Sequence, residues 1–227
     1  MKRRVGILGG MGPEATVELM ARVIRAVPAE DDRDHVPLIV DQNPQVPSRI
    51  EALIEGAGKD PGPVLGEMAA RLAQAGAEAL AMPCNTAHHF APQVKAAGVP
   101  FLDMVTLAAR KAHQQVKENE VVGVLCSPAV RSTGLYDRAL GDLGATVAYA
   151  DDGLMLAAIR AVKRAELKVG ELALAEASSL LATSGCRVQI LACSEFSLIA
   201  GGVDPRASGV DALDVLAREI VLFSLGG

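Results

Sequence analysis

Tryptophan is absent from this 227-residue chain, and only four Phe and two Tyr are present. The core must therefore be aliphatic, and a chain that is 50% hydrophobic has enough Ala, Leu and Val to fill one. So few rings also exclude an aromatic platform for stacking nucleic-acid bases. Long basic blocks are missing as well. Lys2-Arg3-Arg4 is the nearest to one, and the formal net charge is −5. Binding a phosphate backbone needs clustered cations, so no nucleic-acid partner is expected. No stretch reaches membrane-spanning length without a charge or a breaker, so no membrane partner is expected either. The first residues have a basic start and a short apolar run. Glycines interrupt that run, and Pro13 and Glu14 follow at once. It reads as a first strand rather than a signal peptide, which predicts a cytoplasmic protein.

The cysteines are few and unpaired in pattern: Cys84, Cys126, Cys186 and Cys193. None forms a Cys-x-x-Cys pair, and no Cys/His spacing suits a structural zinc, so no metal is expected. In a reducing compartment they should be free thiols.

The chain repeats a cycle of strand, loop and helix. Strands are predicted at Arg4–Leu8, Pro37–Val40, Ala79–Met82, Val99–Leu102, Val121–Leu125, Thr146–Tyr149 and Val188–Ala192. Helices are predicted at Pro13–Val27, Pro63–Ala75, from Cys84 to about Ala97, Ser132–Leu143, Gly153–Ala161, Leu172–Ser184 and Asp211–Phe223. This alternation predicts an α/β fold with mostly parallel sheets flanked by helices.

The two halves also resemble each other. VGILGGMGPEATVELMARVI from Val5 aligns with VGVLCSPAVRSTGLYDRAL from Val122. EALAMPCNTAHHF from Glu78 aligns with VQILACSEFSLI from Val188. A repeat this long suggests two like lobes rather than a solenoid. Two like lobes would turn equivalent strand ends towards each other across a cleft, and strand C-termini are where open α/β sheets bind ligands.

Cys84 and Cys193 hold matching places in these halves. Each follows an apolar strand, and each is expected to open a helix, whose N-terminal dipole would favour a thiolate. A thiolate is a base and a thiol an acid. Two such groups on opposite sides of one carbon can remove a proton from one face and supply one to the other. A lone cysteine at a strand end reads as buried packing. Packing does not require the same residue in both lobes, so the pair favours chemistry.

The segments ILGGMGPEAT, MPCNTAHH and ACSEFSLI resemble those of the aspartate/glutamate racemase family, and its aspartate racemase branch in particular. The resemblance covers essentially the whole chain. It implies two α/β lobes related by a pseudo-twofold axis, taken here as 1–103 with 207–227 and as 104–206. The C-terminal helix would then return to the first lobe, and the active site would lie in the cleft. It implies racemisation of aspartate or glutamate by Cys84 and Cys193 without pyridoxal phosphate or any other cofactor, and a homodimer. The cell-wall glutamate racemases carry Asp-Ser near the first turn and a His two places after the second cysteine. Gly9-Gly10 and Glu195 stand there in this chain.

Further residues take roles from that resemblance. Met11, Arg49, Ser127 and Lys163 match substrate contacts, with Arg49 suited to a carboxylate through its two-pronged guanidinium. From sequence alone Arg49 and Lys163 would be ordinary solvated cations. Asn85 and Thr86 could hold a carboxylate at a helix start, or simply cap it. Ser194 stands where the family more often has Thr and keeps the hydroxyl. Glu195 could orient a neighbour or buffer the second thiol, and equally reads as a first-turn helix Glu. His88 would lie one helical turn above Cys84, placed to tune it or merely to pack. Cys126 departs from the small residue expected there and is a candidate for oxidation. Cys186 reads as core.

One rival uses the first turn. Gly10-Met11-Gly12-Pro13-Glu14-Ala15 fits G-x-G-x-x-A after a strand, and Asp41 ends the second strand, as in a dinucleotide-binding oxidoreductase or sensor. That reading leaves the paired cysteines unexplained. A non-catalytic amino-acid-binding protein would not need both thiols. A maleate isomerase or hydantoin racemase would reuse them on another substrate.

Overall fold

The computed structural model describes residues 2–116 and 120–226. The chain divides into two compact units, Met1–Met104 with Leu213–Gly227, and Val105–Ala212. Each is built on a four-stranded parallel sheet flanked by helices.

In the first unit the strand order is β2-β1-β3-β4, with β1 at Val5–Gly9, β2 at Leu38–Gln42, β3 at Ala79–Ala81 and β4 at Phe101–Leu102. All of β1 and β3 is buried, as expected for central strands covered on both faces. Helix α1 (Pro13–Ala26) starts with Pro13, whose missing N–H costs nothing at that position. It buries Ala15, Thr16, Leu19 and Val23, one stripe at helical spacing. Helix α2 (Gly62–Gln74) packs Leu65, Met68, Ala69 and Leu72 into the same core. Between β3 and β4 a 3-10 segment, Thr86–Phe90, leads into the short α3 (Ala91–Lys95), and α4 (Met104–His113) follows β4.

In the second unit the order is β6-β5-β7-β8, from β5 (Val121–Cys126), β6 (Thr146–Tyr149), β7 (Val188–Ala192) and β8 (Ser208–Asp211). The helices are α5 (Pro128–Ser132), α6 (Leu135–Gly141), α7 (Asp152–Lys163) and α8 (Leu167–Thr183). Helix α9 (Ala212–Leu225) ends the chain. Its Ser224 exchanges two hydrogen bonds with Arg3, Arg3 N to Ser224 O at 3.0 Å and Ser224 Oγ to Arg3 O at 2.8 Å. The Arg3 guanidinium also lies 4.0 Å from the centre of the Phe223 ring. No helix among the described residues is long and apolar enough to cross a membrane.

Three local expectations need correction. The helix predicted from Cys84 to Ala97 is a 3-10 segment followed by five α-helical residues, broken at Phe90, whose backbone leaves the helical region at φ −97° and ψ 16°; Pro92 then sits in the first turn of the second piece, where its missing N–H is tolerated. The helix predicted over Ser132–Leu143 is two helices, broken where Gly134 turns left-handed at φ +62°. Neither Cys84 nor Cys193 opens an α-helix. Cys193 precedes only the three-residue 3-10 turn Phe196–Leu198. A run that short has almost no summed dipole, so the thiols draw little charge stabilisation from that source.

Candidate active site

Cys84 lies three residues beyond β3, which pairs in parallel with the first three residues of β1, Val5 to Ile7. Its backbone is held on both sides. The Cys84 amide donates to Met82 O at 2.9 Å, and its carbonyl lies 2.8 Å from His88 Nδ1. The other ring nitrogen of His88, Nε2, accepts the Met104 amide at 3.1 Å. That pair fixes the tautomer: Nδ1 carries the hydrogen and donates it to Cys84. His88 is buried, and desolvation lowers its pKa below 6.5, against the opposing pull of Asp103. It is therefore neutral, and it grips the backbone of Cys84 with both nitrogens engaged. Cys84 itself is buried and belongs to the same apolar cluster as Met11 and Val46.

The β1–α1 turn reaches this neighbourhood because glycine permits it. A Cβ on Gly9 would stand 2.5 Å from Thr16 Cγ2. Gly10 has φ +94°, and a Cβ there would sit 2.3 Å from the carbonyl carbon of Asn43. Thr16 closes the turn by accepting the Gly10 amide at 2.9 Å. Met11 follows, buried, and its carbonyl takes a long hydrogen bond from Arg49 Nη2 at 3.5 Å. Arg49 Nη1 donates to Val46 O and Pro47 O at 3.4 and 3.2 Å. Its Nε is buried without a hydrogen-bond partner among the described residues. This half-buried guanidinium thus meets carbonyl dipoles and no carboxylate, which leaves its charge available to an anion. Asn85 is buried and Thr86 half-buried directly after Cys84; the Asn85 side chain does not cap the 3-10 segment.

In the second unit, Cys193 follows β7 directly and is half-buried, packed against the cluster that holds Phe196 and Ile199. Its Sγ donates to Glu195 Oε2 at 3.0 Å. Ser194 Oγ donates to the same oxygen at 3.4 Å. Ser127 caps α5, its Oγ accepting the Val130 amide at 3.3 Å. Lys163 ends α7 and is exposed. Its neighbour Val162 and Ile199, from the segment after β7, both close on Gly170.

Cys126 is held as a thiol by its surroundings. It is buried, and desolvation, helped by the nearby charge of Asp152, pushes its pKa up to about 12. That burial argues against the sensitivity to oxidation considered for it, since oxidation proceeds through an accessible thiolate. Cys186 is buried too, and desolvation raises its pKa. Sequence reasoning missed the grip of His88 on Met104 and the closure of the first turn by Thr16. Asp41, the residue that would take ribose hydroxyls, is instead bound by Arg71 at 2.8 Å.

These are two parallel α/β units, each with a thiol just past a buried central strand, and that is the class of protein the structure defines. The chain belongs to the Asp/Glu/hydantoin racemase family, whose model matches residues 8–220. Membership classes it with the amino-acid racemases. It is similar to the aspartate racemase of Picrophilus torridus, with 27% identity, 99% of this chain and 94% of that one covered, and a TM-score of 0.86. It shares the fold of the glutamate racemase isoform RacE1 of Bacillus anthracis, with 20% identity, 99% and 83% coverage, and a TM-score of 0.69. The broad specificity amino-acid racemase RacX of Bacillus subtilis is 27% identical over 161 residues, which is 65% of this chain and just under two thirds, 64%, of that relative.

Proposed function

We propose that this protein racemises a small acidic amino acid, aspartate or glutamate, by proton transfer between two thiols without pyridoxal phosphate. The observation that carries the reading is the placement of Cys84 and Cys193 within three residues of the C-terminal ends of central buried strands in two like sheets.

The chemistry balances with two groups. One cysteine, as the thiolate, takes the α-proton, and the electron pair is left on a planar carbanion. The other cysteine, as the thiol, delivers its proton to the opposite face. One S–H bond forms, one breaks, and the two thiols exchange protonation states. Arg49 supports an anionic substrate, because its guanidinium lacks a carboxylate partner and a carboxylate suits its fork. Neutralising the substrate carboxylate also stabilises the negative charge that develops beside it.

The test is a screen of L-amino acids in D₂O with chiral analysis and no added cofactor. Deuterium at the α-carbon together with D-aspartate or D-glutamate is the expected result. Activity that disappears on dialysis and returns only with pyridoxal phosphate or a metal ion overturns the reading. A hydantoin or maleate substrate turned over in place of both amino acids would reassign the substrate while keeping the thiols.

A further inference from the structure

The two thiols have unlike surroundings. Cys84 is buried, and its side chain makes no hydrogen bond among the described residues. Cys193 is half-buried and points its hydrogen at a carboxylate, Glu195 Oε2, 3.0 Å away. That carboxylate is held in place. The Phe196 amide bonds to Cys193 O at 3.0 Å and the Leu198 amide to Glu195 O at 3.2 Å, which folds the segment back on itself. Ser194 Oγ contributes a second donor to the same oxygen. Glu195 is only half-buried, so the residue that holds the thiol also keeps part of its surface in contact with solvent.

A two-thiol racemase has a problem that its chemistry alone does not solve. After each turnover the thiols have swapped protonation states, and the enzyme is ready only for the reverse reaction. Net conversion requires a reset in which one sulfur gains a proton and the other loses one. We propose that Glu195 is the relay for this reset: it passes a proton between solvent water and Cys193. In the reset a proton moves from water to the Glu195 carboxylate and then to the Cys193 thiolate, while Cys84 gives its proton up to water. No other reactant is consumed. Glu195 acts through Cys193 rather than on the substrate, so it is a positioning and relay residue. This inference rests on the two-thiol reading.

The experiment compares Glu195→Gln, Glu195→Ala and Cys193→Ser by steady-state racemisation in both directions. The reset lies outside kcat/KM and inside kcat. Loss of the relay should therefore lower kcat and KM together, by about tenfold or more if the relay supplies ordinary general acid–base assistance. A small carboxylic acid such as acetate, added as buffer, should restore kcat in Glu195→Ala in proportion to its concentration. Unchanged kinetics in Glu195→Gln, or a fall in kcat/KM that acetate does not mend, overturns the relay. Should Glu195→Ala fail to fold by circular dichroism, the kcat-to-KM split in Glu195→Gln decides alone. Full racemisation by Cys193→Ser overturns the two-thiol reading itself, and so is distinguishable from failure of the relay.

Discussion

His88 Nδ1 stands 2.8 Å from the carbonyl oxygen of Cys84 and carries the hydrogen between them, because its Nε2 is occupied by the Met104 amide. The imidazole is thus a buried clamp on the backbone of the first thiol. Asp103 lies 4.0 Å from Nε2, and Lys95 reaches the same carboxyl group.

The clamp makes stability depend on pH. Burial lowers the pKa of His88, so the unfolded chain binds this proton more readily than the folded one. The contribution is present in full above the ordinary value of 6.5 and is lost as pH falls below it. The melting temperature of the wild type should therefore drop between neutral pH and mildly acidic pH more steeply than that of His88→Gln. At neutral pH the variant should be the less stable by about 1–3 kcal/mol, since a buried backbone partner loses its bond. Parallel pH profiles for the two proteins would contradict the clamp.

The thiols should differ in alkylation. With iodoacetamide at neutral pH, Cys193 is expected to react first, as the one half-buried cysteine of the four. Cys126, with its pKa near 12, and the buried Cys186 should be spared until the protein unfolds. Peptide mass spectrometry over a time course reads the order. Modification of Cys126 ahead of Cys193 would refute it.

Arg49 separates binding from folding. Replacing it with Ala removes three part-buried bonds to carbonyls of its own unit, two of them 3.4 Å or longer, and no ion pair among the described residues, so the variant should fold. If its charge receives a substrate carboxylate, turnover should fall by the equivalent of about 2–5 kcal/mol, the usual cost of losing one partner from a buried pair. Arg49→Lys should recover part of it. A folded Arg49→Ala protein with wild-type kinetics removes Arg49 from the site.

The first turn should not accept a side chain. Gly10→Ala places a methyl group 2.3 Å from the Asn43 carbonyl carbon, in a left-handed backbone conformation. The conformation alone costs on the order of 1–3 kcal/mol. Thermal denaturation should show that loss or more, whereas Gly141→Ala, with open space around its Cβ, should be nearly silent.

Much of this was legible in the sequence because apolar runs and glycines are local signals. The runs at Val5, Ala79 and Val188 give the central strands, and the residues just past two of them are the thiols. Strand β8 was not legible: in Ser208-Gly209-Val210-Asp211 only Val210 is apolar and buried, so no alternation exists to detect. Helix α8 begins five residues before its apparent start, because Leu167, Lys168 and Val169 are exposed and its first buried residue is a glycine, Gly170. Helix α4 went unassigned between the two repeats. The roles of His88 and Thr16 depend on partners fixed by folding, Met104 in one case and the Gly10 amide in the other. Glu195 was legible as a neighbour of the thiol, but the 3.0 Å bond between them belongs to the fold of the turn.

The two-thiol account is tested most directly by α-proton exchange in D₂O with Cys84→Ser and Cys193→Ser, each enantiomer supplied separately. Every turnover needs both thiols, so net racemisation should be abolished in both directions in both variants. Each variant should still exchange the α-proton of the one enantiomer that faces its remaining thiol, and the two variants should prefer opposite enantiomers. Full racemisation by either folded variant, or the same enantiomer preference in both, would contradict the account.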